Sequence, residues 1–291
     1  METRWMYRTS GDLQELVEAS GGVCLLPIGC VEKHGLHLPL GTDTFAAEAL
    51  AYAASQIETV CVFPPFIFGD LCGAAPSMPH GTVTLKEETM LLLLEELCDQ
   101  ISRAGFRKIL FVNGHGGNTP LLTLFMRQQA NKKRNHVIGV ISTNSESAVR
   151  GIYNDLEKNG RGYFPELTSE DEDYIIDFFK NGGTSGHAGF GETAYMMALV
   201  PDAVHLECLG TESGLSTHKA DYLRAAGIQI RDGGWDVNFP NHYDGTDPVG
   251  CNERIGKCAM RVSAERMAHS CRVFKEDENV LKWLDEYQRG W

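Results

Sequence analysis

The sequence lacks several signatures that would identify other classes of enzyme. Neither of the common phosphate-binding patterns, GxxxxGK[ST] and GxGxxG, occurs, and the GxSxG motif of serine hydrolases is also absent. No apolar run is longer than the one at 194–200, which is far too short to cross a bilayer. These absences argue against nucleotide-binding loops of those types, a GxSxG nucleophile and a membrane-spanning helix.

Cationic residues are in the minority, and the cysteines follow no pattern. The chain has 26 Lys and Arg against 39 Asp and Glu, a net charge of −13, which argues against binding to nucleic acid or anionic membranes. Its nine cysteines include no CxxC pair, and several lie in apolar surroundings typical of reduced thiols. The N-terminal segment has no apolar stretch of the secretory type. These features predict a cytoplasmic protein.

Predicted strands and helices alternate along the first half of the chain. Short apolar segments predict strands, at 23–29, 60–63, 107–112 and 136–141. Helices are predicted over 42–57, from a capping box at 84–87 through 104, and from 118 onward. Further predictions are a helix at 189–200, an ordered loop at 227–250 and helices over 254–286 with a break near 276. The alternation predicts parallel strands in an α/β fold, and the lack of a clear boundary predicts one domain over 1–291.

Residues suited to metal binding follow directly after the first strand. The stretch 29–43 reads GCVEKHGLHLPLGTD and holds Glu32, His34 and Asp43, whose carboxylate and imidazole groups are ligands for Zn²⁺ and Mn²⁺. Glu32 and His34 are two positions apart, so on an extended segment they point to the same side. Asp43 begins a helix and is a candidate to bridge two ions roughly 3.5–4 Å apart. The alternative, a solvated turn, fits less well so close to a buried strand.

A second loop, NGHGGN at 113–118, repeats this arrangement between a strand and a helix. It holds His115, and its glycines allow the backbone to approach a metal or ligand closely. The amide groups of Gly116 and Gly117 lie at a helix N-terminus, where an anionic intermediate is favoured. On these residues alone, His115 is a candidate metal ligand and the two glycines are candidate substrate contacts, and a loop histidine without a ligand fits equally well.

The third loop, HAGFGET at 187–193, leads into the predicted helix at 189–200. Glu192 is a candidate to complete the metal site, and His187 is a candidate general acid or base. Each has a structural alternative. His187 would be a buried hydrogen-bonded histidine, and Glu192 a first-turn residue favoured by the helix dipole.

Further residues are candidates for substrate contact. His37 lies in the first loop, and Trp235 and Tyr243 lie in the polar and aromatic segment 233–245, GGWDVNFPNHYDG. The aromatic rings would stack on a substrate ring or form a subunit contact, and the sequence leaves both open. The histidines at 205, 218, 242 and 269 have no surrounding motif, and structural roles are expected for them.

Together the loops resemble the motifs of the creatininase, or creatinine amidohydrolase, family. The family's first motif, E-x-H-G-x-H-x-P-x-x-T/V-D, is similar to residues 32–43. The family's NGHGGN and H-A-G-x-x-E-T motifs are similar to residues 113–118 and 187–193. The loop ending in PHGT at 79–82 is similar to a further, altered family segment. The likeness extends over about residues 20–270.

The resemblance implies a three-layer α/β/α fold with a mostly parallel central sheet. It also implies hydrolysis of an amide in a small, often cyclic substrate by a homo-oligomer, often a hexamer. The implied cofactors are two divalent ions, Zn²⁺ or Mn²⁺, with Fe²⁺ as an alternative. Matched position by position, Glu32, His34, Asp43 and His115 correspond to metal ligands, and His187 corresponds to the catalytic histidine.

One position departs from creatininase itself, which has a metal-binding glutamate where this chain has Gly117. Related members with NGHGGN use the glutamate of the third motif, so Glu192 is assigned as the ligand by analogy. The departure disfavours creatinine as the substrate. Two other hypotheses stay open: a ring-opening hydrolase of an oxidised cyclitol or sugar, and a metal-binding scaffold without turnover.

Overall fold

The computed structural model describes residues 1–71, 80–228, 230 and 234–289. Among these residues, one sheet contains parallel strands in the order β2–β1–β3–β4. The strands are β1 (Val23–Ile28), β2 (Cys61–Val62), β3 (Lys108–Asn113) and β4 (Val137–Ser142). Each lies where an apolar segment predicted it, and the predicted parallel arrangement is confirmed.

Helices occupy the connections between the strands and most of the second half of the chain. Those of the first half are α1 (Leu13–Ala19), α2 (Thr42–Ile57), α3 (Glu87–Arg103) and α4 (Asn118–Ala130). Those of the second half are α5 (Ser145–Asn159), α6 (Ser169–Lys180), α7 (Phe190–Leu199), α8 (Asp221–Ala225), α9 (Gly234–Asn238), α10 (Glu253–Glu276) and α11 (Val280–Gln288). Short 3-10 turns lie at Trp5–Tyr7, Pro201–Ala203 and Leu206–Cys208. No helix in the described ranges combines the length and apolar character needed to cross a bilayer.

Most of the predicted helices are confirmed, including the C-terminal pair with its break after Glu276. The predicted capping box at 84–87 is wrong, because no side chain caps α3 and the Thr84 hydroxyl donates to the Gly69 carbonyl at 3.1 Å. The region 144–186, which the sequence left unassigned for the most part, contains α5 and α6. The predicted loop at 227–250 lies partly outside the described residues, and its described part includes helix α9.

Helices cover both faces of the sheet, which confirms the expected three-layer α/β/α arrangement. Along β1, Val23 and Leu25 face one hydrophobic core, and Cys24, Leu26 and Ile28 face the other. The first core contains residues of α2, α5, α6, α7 and α10, and the second contains residues of α1, α3 and α4. Because both faces of β1 are buried, its sequence is an almost unbroken apolar run. A single domain over 1–291 stays a prediction.

The carboxyl ends of β1 and β3 lie side by side and direct two of the predicted loops to one place. Ile28 pairs in register with Asn113, and the next residue, Gly114, donates its N–H to the Ile28 carbonyl at 2.8 Å. A Cβ atom at Gly114 would lie 2.3 Å from the Asp43 carbonyl oxygen. Glycine at this position therefore allows the β3 loop to lie against the first turn of α2. In open parallel sheets, this edge is where ligands bind.

Candidate metal centre

Three imidazoles converge on the buried carboxylates that follow β1. His34 Nε2 lies 3.3 Å from Asp43 Oδ1, and His115 Nδ1 lies 2.9 Å from Asp43 Oδ2. His187 Nδ1 lies 3.9 Å from Glu32 Oε2. The structure thus brings together the predicted residues of the first, second and third loops, although Glu32 and His187 are 155 positions apart in the chain.

The second ring nitrogen of each imidazole is hydrogen-bonded to a backbone carbonyl. His34 Nδ1 lies 3.0 Å from the Glu32 carbonyl, His115 Nε2 3.2 Å from that of Asp70, and His187 Nε2 2.7 Å from that of Lys33. Because a carbonyl oxygen only accepts, each of these nitrogens carries a proton, so an ion would bind the other nitrogen, which faces the carboxylates. Those carboxylates raise the pKa of His34 to about 10 and that of His115 to about 9, against the effect of burial, so without an ion both rings are protonated on both nitrogens. Metal-binding histidines are oriented in this way by their outer hydrogen bonds.

The donor atoms form three groups: one contains Glu32, His34 and His187, and the other two share Asp43. Of these two, one contains Glu32, Asp43 and His115 together with Cys30, and the other contains His34, Asp43 and Glu192. Within each group, the donor atoms lie within 4.8 Å of one another. Oxygen and imidazole nitrogen donors grouped around a shared carboxylate suit a pair of divalent ions. The residues present therefore fit the cofactor that the sequence predicted.

Burial and mutual attraction set the charges of the cluster. Burial acts to raise the pKa of Glu32, but the surrounding imidazoles outweigh it and hold the pKa below its usual value. His34 and His115 likewise hold the pKa of Asp43 well below normal against the effect of burial. Burial, with a further contribution from His34, lowers the pKa of His187 to about 4. Glu32 and Asp43 are therefore ionised at neutral pH, whereas His187 is neutral.

Glu192 reaches the cluster from the first turn of α7. Its Oε2 lies 3.5 Å from His34 Nε2 and accepts a hydrogen bond of 2.6 Å from the backbone N–H of Ala188. Ala188 has a φ of 58°, a left-handed conformation that is costly for a residue with a Cβ and that is found most often at functional sites. Burial raises the pKa of Glu192 to about 7. The third loop is thus held in a strained form that directs Glu192 toward His34.

Gly117 explains why this loop carries no glutamate. A Cβ atom at this position would lie 2.3 Å from His115 Nε2 and 2.5 Å from the Asp70 carbonyl oxygen. Any side chain would therefore disturb the hydrogen bond that orients His115. Gly116, by contrast, is exposed and has open space around it. The two glycines lie beside His115 at the start of α4, as predicted.

The candidate substrate contacts divide into buried and accessible residues. His37 is buried, bonds through Nε2 to the Thr193 hydroxyl at 3.1 Å, and lies 5.2 Å from the ring of Tyr243. Tyr243 is 2% exposed and donates its hydroxyl hydrogen to Asp247 at 2.9 Å. These positions suit a supporting role better than the predicted substrate contact. Trp235 is half-buried and lies edge-on to His187 at 5.3 Å, at the rim of the cluster.

Sequence reasoning missed two residues of this site. Cys30 donates its thiol hydrogen to Asp43 Oδ2 at 3.0 Å, and its position two residues before Glu32 was a usable signal. His242, expected to be structural, has a buried Nδ1 that lies 4.0 Å from Glu32 Oε1 and has no hydrogen-bond partner in the described part of the chain. Its position in the segment 233–245, which also contains Trp235, could have indicated that His242 lies near the site.

The fold and the site define a class: α/β/α proteins with a carboxylate–imidazole cluster at the carboxyl edge of a parallel sheet. The family model for creatininase, creatinine amidohydrolase, matches residues 6–270, and the chain therefore belongs to the creatininase family. The predicted resemblance is confirmed.

Relatives of known activity differ in what they act on. The mycofactocin precursor peptide peptidase of Mycolicibacterium smegmatis is 38% identical over 120 residues, which are 39% of this chain and 46% of that protein. The creatinine amidohydrolase of Pseudomonas putida is 25% identical over 198 residues, which are 66% and 69% of the two chains. The 3-dehydro-scyllo-inosose hydrolase of Thermotoga maritima is 27% identical over 183 residues, which are 63% and 52%. The matched region thus spans less than half of the peptidase.

Solved structures of creatininase share the fold. A crystal structure of creatinine amidohydrolase has a TM-score of 0.67 at 19% identity, over 94% of this chain and 98% of that one. A manganese form of creatininase has a TM-score of 0.68 at 19% identity, over 95% of this chain and all of the other.

Proposed function

We propose that this protein is a divalent-metal-dependent hydrolase that cleaves an amide-type C–N bond in a small polar substrate. The observation that carries the proposal is the shared orientation of His34, His115 and His187. Each donates one ring N–H to a backbone carbonyl and turns the other nitrogen toward ionised carboxylates. His34 and His115 each thereby present one nitrogen to the carboxylates of the proposed metal positions, and His187 presents one beside them.

Two metal positions follow from the donor groups. Glu32, Asp43 and His115 would hold one ion, and His34, Asp43 and Glu192 would hold the other. Zn²⁺ and Mn²⁺ are the proposed ions, because creatininase structures of the same fold include Zn–Zn and manganese forms. Bound there, the ions would lower the pKa of a coordinated water toward about 7 and polarise a carbonyl group.

His187 is the proposed catalytic residue. It is neutral at neutral pH, its Nε2 hydrogen is held by the Lys33 carbonyl, and its Nδ1 lone pair faces the cluster. The ring can therefore take up a proton at Nδ1 from the attacking water. It then returns that proton to the leaving nitrogen of the substrate, which is the role of a general acid–base group.

The substrate contacts proposed here are at the rim of the cluster. Trp235 stands edge-on to both His187 and His242, at 5.3 and 5.5 Å between ring centroids, and offers an apolar surface next to the proposed proton carrier. The amide groups of Gly116 and Gly117 are proposed to bind the developing negative charge. His37 and Tyr243, which are buried, are proposed to support the substrate-binding residues by packing and not by direct contact with the substrate.

The names of the relatives cover precursor-peptide cleavage, creatinine hydrolysis and inosose hydrolysis. We propose an amide substrate first, and an oxidised cyclitol or sugar opened at a ketone as the alternative. The predicted homo-oligomer, its hexameric form and the cytoplasmic location stay predictions.

Metal content tests the proposal directly. Elemental analysis of the purified wild-type protein is expected to find about two ions per chain, falling toward one in Glu192→Ala. Glu207→Ala, which changes an exposed glutamate elsewhere, is the matched control and should retain two. One ion or none in the wild type, after reconstitution with excess Zn²⁺ or Mn²⁺, contradicts the two-metal site. Full occupancy without turnover on amides, lactams and cyclic ketones would instead favour the scaffold hypothesis.

A further inference from the structure

Cys30 lies among the candidate ligands. Its Sγ is 3.0 Å from Asp43 Oδ2 and 3.6 Å from Glu32 Oε2, and its side chain is fully buried. The sulfur also lies within 4.8 Å of the donor nitrogen of His115. The thiol therefore faces the same point as three groups that the proposed function assigns to one ion.

The spacing of these donors resembles that of a tetrahedral site. With metal–ligand distances of roughly 2.0–2.3 Å, neighbouring donors of a tetrahedron lie roughly 3.3–3.8 Å apart. His115 Nδ1 lies 3.4 Å from Glu32 Oε2 and 2.9 Å from Asp43 Oδ2. With the two sulfur distances of 3.0 and 3.6 Å, two of these four edges lie within this range and two lie below it. A small outward movement of the donors would accommodate an ion among them.

The two donor groups differ in number and in chemistry. The first has one sulfur, two carboxylates and one imidazole, and the second, of His34, Asp43 and Glu192, has two carboxylates and one imidazole. Protein zinc sites with four protein ligands are closed, whereas catalytic sites have three and leave a position for water. By this criterion, the first group, with four donors, is a closed site, and the second group, with three donors, is an open one.

We propose, on the basis of the proposed hydrolase function, that Cys30 is a thiolate ligand that completes a four-donor site with Glu32, Asp43 and His115. The open position for water then belongs to the three-donor site of His34, Asp43 and Glu192. The thiol releases its proton to solvent as the sulfur binds. Because thiolate favours Zn²⁺ whereas carboxylate-rich sites suit Mn²⁺, Cys30 makes the four-donor site selective for Zn²⁺.

Cobalt substitution tests the sulfur ligand by spectroscopy. The purified protein is stripped with a chelator and titrated with Co²⁺ while near-ultraviolet absorption is recorded, because a thiolate bound to Co²⁺ adds a charge-transfer band that oxygen and nitrogen ligands lack. In the wild type, the band is expected to grow until one Co²⁺ per chain fills the four-donor site. Cys30→Ser should lose it. Cys208→Ser, which changes a partly exposed thiol that is not one of the cluster's donors, should keep it.

Metal competition provides a second readout. Relative to Cys208→Ser, Cys30→Ser is expected to lower the preference for Zn²⁺ over Mn²⁺ at one site by at least roughly tenfold, the lower end of the loss seen even for outer-shell partners. Cys30→Ala, which adds no hydroxyl, should behave in the same way. Circular dichroism verifies that both variants are folded.

The outcomes separate the two proposals. Two bound Co²⁺ ions per chain without the band, or a band that persists in both Cys30 variants, would overturn the sulfur ligand and leave the hydrolase proposal standing. The wild-type spectrum alone shows whether a thiolate binds Co²⁺, so this outcome can be read even if neither Cys30 variant folds. A chain that binds no Co²⁺ would overturn both.

Discussion

Asp43 presents one carboxylate oxygen to each of two imidazoles, those of His34 and His115. Replacing it with alanine removes a donor from both proposed metal sites. Asp43→Ala is therefore expected to lose both ions, as measured by elemental analysis after gel filtration, whereas Glu192→Ala should lose one. An Asp43→Ala protein with full occupancy and normal turnover would contradict the assignment of Asp43 as a shared ligand.

His187 is expected to affect rate rather than occupancy. It belongs to neither of the two proposed ligand sets, so His187→Ala should keep both ions. Its turnover should fall roughly 10²–10⁴-fold, the usual contribution of a general acid–base group. Steady-state kinetics on an active substrate measure the fall, and His218→Ala, at an exposed histidine, is the control. An unchanged rate would exclude the proton-transfer role, and lost metal would make His187 a ligand.

At the scale of helices, α3 shows how the sequence pattern specifies packing. Met90, Leu94, Cys98 and Ile101 recur every three or four positions and are all buried, so they form one face against the sheet. Leu92 lies on the opposite face and is 57% exposed. Leu94→Ala should lower the free energy of unfolding by roughly 2–5 kcal/mol, and Leu92→Ala by less than about 0.5 kcal/mol. Urea unfolding of the two variants measures the contrast, and equal losses would contradict this orientation of α3.

A buried ion pair between α6 and α10 makes a pH-dependent contribution to the stability of the fold. Asp171 is 2% exposed and accepts hydrogen bonds from Arg254 and Asn252, both at 2.7 Å. Burial acts to raise the pKa of Asp171, but these bonds outweigh it and hold the pKa well below the normal value. The carboxylate therefore stabilises the fold above its unfolded pKa of about 3.9, and this contribution is lost as the pH falls toward the lower folded value.

Asp171→Asn tests this contribution. The variant should be less stable than the wild type at neutral pH, and the difference should shrink as the pH falls from about 5 toward about 2. Thermal or urea unfolding across this pH range measures the difference. A constant difference would show that the charge of Asp171 contributes nothing to the acid sensitivity.

Apolar runs made the strands predictable from sequence, and the alternation of strands with helix-forming segments made most helices predictable, because these patterns are local. The predicted capping box before α3 was wrong because the Thr84 hydroxyl bonds to Gly69, a residue far from the helix in the sequence. That the loops of Glu32 and His115 would lie together was predictable for a similar reason, because they follow β1 and β3, whose ends lie at one sheet edge. The ligand roles of these residues stay predictions. The place of His242 beside Glu32 was not predictable, because it depends on tertiary contacts such as the hydrogen bond from the Gly35 N–H to the His242 carbonyl. Cys30 was missed although its spacing from Glu32 was visible.

At the scale of the whole molecule, ion binding is expected to couple to stability. The cluster joins residues from the loops after β1 and β3 and from α2 and α7, so an ion bound there stabilises the folded state over the unfolded one. A ligand at 100 times its Kd adds about 2.7 kcal/mol. The Tm should therefore rise with Zn²⁺ or Mn²⁺ concentration in calorimetry, and Asp43→Ala should remove most of the rise. A Tm independent of metal would contradict the coupling.

Gly117 has a consequence for how such a site can change. Because a side chain at this position would strike both His115 and the Asp70 carbonyl, a glutamate there cannot simply replace Glu192. A protein carrying both Gly117→Glu and Glu192→Ala should bind metal no better than Glu192→Ala alone. A metal-binding glutamate at position 117 and one at position 192 therefore require different backbone conformations of the loop at 113–118. An evolutionary change from one to the other requires this loop to move before the ligands are exchanged, or together with that exchange.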